Sequence, residues 1–115
     1  MSPRLPSVFL ITTVVASVIL AVPLTSARAD SSADPGAGLY KSKCASCHGP
    51  DGSGNIPMGK ALKVRDLRSD EVQKQTDLQL AKVIADGKGK MPPYGKKLTT
   101  EEIQSIITFV RTLKK

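Results

Sequence analysis

An almost unbroken apolar run from Val8 to Leu24, preceded by Arg4 and followed by Ala27-Arg28-Ala29, decides how much of this chain is left to fold. Basic, apolar and small-residue regions in that order make a secretory leader, and we place cleavage after Ala29. The run covers 17 residues and carries Thr12, Thr13, Ser17 and Pro23, which is short for a bilayer span. No membrane anchor is therefore expected in the mature chain. Removing 29 of the 115 residues leaves 86, residues 30–115, which is one domain with too little core to hold without a staple. The aromatic residues left are Tyr40, Tyr94 and Phe109, and tryptophan is absent. A bound prosthetic group would supply the apolar volume that the side chains lack.

Loss of Arg4 and Arg28 takes the formal net charge from +7 to +5. That excess suits an acidic docking partner, an anionic membrane surface or plain solubility. Nucleic acid is a poor reading, because no basic run is interleaved with aromatics that could stack bases.

Asp34-Pro35 reads as a helix cap followed by proline in the first turn, and the helix should run to about Cys47. Residues 49–59 hold four glycines and two prolines and read as loop. Residues 60–75 show no clear period and read as loop with at most one short helix. Thr76 with Gln79 has capping-box spacing, so a helix is expected over Asp77 to Asp86, stopped by Gly87. Thr99 with Glu102 repeats the signature, and Ile103, Ile106, Ile107, Val110 and Leu113 then follow the helical period to the end. Nothing after Asp30 alternates like a strand, so the expected domain is all-α without a sheet.

Cys44, Cys47 and His48 stand at i, i+3 and i+4, so all three side chains leave one helix face and meet one flat ligand together. Two thioethers to haem vinyl groups need cysteines about one turn apart, with an imidazole just beyond to reach the iron. The rival readings of the motif fail on its surroundings. A thioredoxin-like pair wants a βαβ pattern, and a structural zinc site wants four ligands where two cysteines and one histidine exist in all. A disulfide between neighbours this close would stabilise little.

Cys44-Ala45-Ser46-Cys47-His48-Gly49, the later Gly89-Lys90-Met91-Pro92 and the capped terminal helix together resemble a class I c-type cytochrome, over nearly all of residues 30–115. The resemblance implies a small cytochrome c-like fold of three to four helices around one covalently bound haem (heme c), with the first and last helices crossing. It also implies haem attachment outside the cytoplasm, in the periplasm or another extracytoplasmic compartment, consistent with the leader.

His48 is the single histidine, so the sixth iron position falls to methionine, lysine, water or nothing. Elimination and family likeness favour methionine. Met58 comes ten residues after His48 and would have to carry the chain around the ring edge at once, whereas Met91 comes after a helix able to cross the haem. Gly87 and Gly89 permit a sharp turn there, and Pro92-Pro93 stiffen the chain on the far side of Met91. We therefore expect haem binding by Cys44, Cys47, His48 and Met91, with His48 and Met91 on the metal. In the family a loop proline carbonyl often receives the other imidazole N–H, and Pro57 is the match; Tyr94 would bond a propionate or cover the haem edge.

With both axial positions filled, the expected function is single-electron shuttling between extracytoplasmic redox partners by Fe(III)/Fe(II) cycling, with no substrate transformed and no enzyme activity. A gas-binding haem protein and a subunit of a larger oxidase or dehydrogenase are the competing classes. Lys88, Lys90, Lys96 and Lys97 bracket Met91 and would suit docking of an acidic redox partner, or serve solubility alone.

Overall fold

A computed structural model describes residues 34–115; the leader over residues 1–29 lies outside the described residues. Six helical segments account for most of them: α1 Pro35–Lys43, α2 Ala45–His48, α3 Pro57–Leu62, α4 Asp70–Gln73, α5 Asp77–Asp86 and α6 Thr100–Thr112. Among the described residues there is no strand, only an isolated bridge between Lys88 and Met91. The all-α architecture is as expected. None of the described helices is long and apolar enough to cross a membrane.

The firm sequence signals become real caps. The Asp34 carboxylate accepts the Gly36 N–H at 2.9 Å, with Pro35 in the first turn. Thr76 and Gln79 exchange side-chain and backbone bonds at the start of α5, and Thr99 and Glu102 do the same at the start of α6. Each box satisfies two donors that a helix start leaves without partners.

Two differences from the sequence reading have local causes. The first helix breaks at Cys44, where φ is −114° and the Cys47 N–H turns to the carbonyl of Cys44 at 3.1 Å, one residue short of the helical ladder. α3 stands partly where loop was expected. Pro57 occupies its first turn, a position in which proline favours a helix. Gly59 is required there because a Cβ would lie 2.7 Å from the Cys47 carbonyl oxygen, so α3 packs backbone to backbone on α2.

α1 crosses α6, as the resemblance implied. Gly36 makes the crossing close: a Cβ on it would come 2.7 Å from the carbonyl carbon of Ser105 and nearer still to its oxygen. One turn along, Tyr40 sits 5.0 Å from Phe109, ring centre to ring centre. α6 contributes Ile103, Ile106, Ile107 and Val110 to the core, against Tyr40, Val72, Leu80 and Leu98. Arg111 clamps the segment before α5 to α6 through the carbonyls of Gln73 and Gln75 and the carboxylate of Asp77. The Gln73 amide completes the tie by donating to the carbonyls of Leu67 and Val110.

Candidate functional site

A cavity of about 450 Å³ opens between the α1–α2 rod, the segment after α3, α5, α6 and the Met91 turn. That volume is within the ~300–1,000 Å³ of small-molecule and cofactor sites. Its walls are mostly aliphatic: Leu67, Val72 and Leu80 face it, as do Ile106, Ile107 and Val110 of α6. Cys44, Cys47, His48 and Met91 all line it, so the structure gathers the four residues singled out in the sequence around one space. Met58 is 52% exposed on α3 and is not among the lining residues.

Both cysteines are free thiols, half-buried. Burial, with a smaller contribution from neighbouring Cys47, pushes the Cys44 thiol up to about 11. Redox-active cysteines have thiols pushed the other way, toward the thiolate, which the half-buried Cys44 is not. Burial also lowers the His48 imidazole below its ordinary value, with the Arg65 main chain acting in the opposite direction. The Nδ1 atom of His48 is buried and has no hydrogen-bond partner among the described residues. A buried ring nitrogen without a partner is costly unless a group from outside the polypeptide completes it. Together with the paired thiols and the aliphatic walls, it fits a haem.

The Met91 turn is built for one shape. Lys88 and Met91 exchange both backbone bonds, at 3.0 and 3.1 Å, around Gly89 at φ +58°. Gly87 has φ +75°, and a Cβ on it would lie 2.6 Å from the Met91 carbonyl oxygen. The N–H groups of Tyr94 and Gly95 bond the carbonyls of Ile84 and Ala85, each at 3.0 Å, which holds the strap after Met91 to the end of α5.

Second-rank expectations fare unevenly. Pro57 opens α3, is exposed, and makes no bond to His48. The Tyr94 ring lines the cavity, and its hydroxyl donates to the Lys43 carbonyl at 3.0 Å, a partner within the protein itself. Lys88 and Lys90 stand at the cavity mouth; Lys96 and Lys97 come on the next turn, all four exposed and without an ion pair among the described residues. Sequence reasoning missed Lys43, Lys63 and Arg65, which also line the cavity. No carboxylate lines it, a property of the assembled fold that no local motif signals.

Comparisons with known proteins agree on one family. Residues 31–110 match the family described as cytochrome c oxidase, cbb3-type, subunit III. The chain is 33% identical over 102 residues to cytochrome c6 of Gloeothece citriformis (strain PCC 7424), covering 84% of this chain and 89% of that protein. Among solved structures it is similar to the KustC0563 c-type cytochrome, with a TM-score of 0.64 and 35% identity over 70% of this chain and 98% of that one. It is also similar to cytochrome c6C from Synechococcus sp. PCC 7002, with a TM-score of 0.55 and 32% identity over 69% of this chain and 93% of that one.

Proposed function

We infer that His48 and Met91 would hold the iron of one haem here, because this chain belongs to the cytochrome c family and is a small monohaem class I c-type cytochrome acting in electron transfer. The observation that carries the ligand reading is the shared cavity. His48 and Met91 both line it, while Met58 faces solvent.

The haem supplies reversible one-electron chemistry, Fe(III)/Fe(II), when bound. Cys44 and Cys47 would hold it through thioethers to its two vinyl groups. Met91 as a weak thioether donor favours the reduced state more than a second imidazole would. The stiff Pro92-Pro93 strap and the bonds from Tyr94 and Gly95 keep that weak donor in place. The aliphatic walls exclude water, so little solvent has to reorganise as the charge changes.

The full reading is an exported carrier, free in the periplasm or a similar compartment after loss of the leader, that exchanges electrons with acidic redox partners and transforms no substrate. Lys88, Lys90, Lys96 and Lys97 form the docking rim. None of the four pairs with a carboxylate among the described residues, whereas Arg65, Arg68 and Arg111 each do, and Lys97 lies 5.7 Å from the Tyr94 ring centre. Electron carriers use small, quickly released contacts in which charge steers approach. A second reading, a subunit held in an oxidase, is favoured by the description of the matching family. Gel filtration of a native extract separates the two by size.

The test of the ligand set is a pair of variants. Met91→Ala should lose the weak far-red absorption of a ferric iron–thioether bond and let carbon monoxide bind the reduced iron. Met58→Ala should do neither. Loss of the band in the Met58 variant alone would overturn the assignment.

A further inference from the structure

Tyr94 stands three residues after Met91 and reaches back across 51 residues of sequence to the Lys43 carbonyl, 3.0 Å from its hydroxyl. That carbonyl is open because of the break at Cys44: the Cys47 N–H, which would take it in an unbroken helix, bonds the Cys44 carbonyl instead. On its other side Tyr94 is held by its own N–H to Ile84, and its carbonyl receives the N–H groups of Lys97 and Leu98 at 2.8 and 2.9 Å. Between Met91 and Tyr94 stand only Pro92 and Pro93. Both have fixed φ, so a shift at position 94 passes to Met91 rather than being absorbed. A phenol is protonated at neutral pH, so the hydroxyl is a donor there, and burial moves it further in that direction.

We propose that Tyr94 is a positioning residue whose hydroxyl ties the Met91 strap to the end of α1, next to Cys44, and so sets how often Met91 leaves the iron. The inference rests on the reading of Met91 as ligand. The strap has two anchors on opposite sides: the backbone bonds to α5, and this one hydroxyl to α1. Removing the hydroxyl leaves the ring, the cavity wall and the backbone bonds but no side-chain tie to α1, and the population with Met91 detached rises. The bond is neutral and lies near the surface, so the detached fraction should increase about two- to fivefold.

Cyanide binding to the ferric holoprotein reads that fraction, because cyanide takes the iron only when Met91 is off. Tyr94→Phe should keep full haem loading and the far-red band yet bind cyanide about two- to fivefold faster than wild type. Met91→Ala should bind it without delay. Amide exchange at Tyr94 and Gly95 should quicken in Tyr94→Phe while Ile106 and Ile107 keep their protection. Wild-type cyanide kinetics in Tyr94→Phe, with Met91→Ala fast, would overturn the inference alone. So would a rise in cyanide binding matched by lost protection across α6, the mark of general destabilisation. If Met91→Ala binds cyanide no faster than wild type, the ligand reading itself has failed.

Discussion

Two glycines in the same helix should respond to alanine with opposite signs. Gly38 has nothing within 4 Å of where a Cβ would point, so Gly38→Ala should gain about 0.5–1 kcal/mol from helix propensity. Gly36 has the same propensity to gain and a backbone in the way. A Cβ there would lie 2.7 Å from the Ser105 carbonyl carbon, where carbon atoms prefer about 3.5–4.0 Å. Backbone does not rotate aside as a side chain does, so α1 must lift from α6 by about 1 Å, pulling Tyr40 off Phe109. Overpacking of this kind costs about 1–3 kcal/mol, and a loosened aromatic pair adds about 0.5–1.5 kcal/mol. Net of the propensity gain, Gly36→Ala should lose about 2 kcal/mol, a fall in Tm of about 8–16 °C for a domain of this size. Thermal and urea unfolding of the haem-loaded variants, monitored by far-ultraviolet circular dichroism, measures both. A Gly36→Ala protein as stable as wild type, or two variants that shift in the same direction, would refute the close crossing.

Three further outcomes are expected. Cys44→Ala and Cys47→Ala should each lower the yield of holoprotein and the double variant should carry no covalent haem, as measured by denaturing mass spectrometry against the mature chain. The Arg68 guanidinium donates to Asp66 and holds its carboxyl down from 3.8 to about 2, so this contribution to stability is complete above about pH 4 and disappears as pH falls through about 2. Asp66→Asn should therefore lower the urea midpoint at pH 7 and leave it unchanged below pH 2, and equal losses at both would refute the assignment. Charge reversal at Lys90 and Lys96 should slow association with the native partner and flatten its dependence on salt around 0.1 M, while moving the reduction potential little; unchanged rates at low salt would leave the cluster as a solvated surface.

What the sequence made legible is what neighbours in the chain decide. The two Thr-based capping boxes and the aliphatic period of α6 are local, and each appears at its expected place. α3 was hidden because Pro57 and Gly59 also make turns; only the approach of Gly59 to the Cys47 carbonyl shows why a helix with a glycine sits there. The break at Cys44 leaves no trace in a pattern that runs evenly through it. Pro57 was matched to a family loop of variable length, and a loop's path depends on contacts that the loop does not encode. The bond from Tyr94 to Lys43 and the clamp of Arg111 on Gln73 and Gln75 join distant segments, so no window on the sequence contains them.

Ile106, Ile107 and Val110 are at once the centre of the hydrophobic core and the wall of the cavity. A chain that never received its haem would have to close or tolerate a hole of about 450 Å³ beside the core of the described residues. At about 24 cal/mol per Å³ the penalty approaches 11 kcal/mol, an upper bound because the lysine-lined mouth reaches solvent. Small domains have about 5–15 kcal/mol in total. On the haem reading, then, the cofactor would fill much of the core as well as the site, and the haem-free chain should unfold at a lower urea concentration than the haem-loaded one.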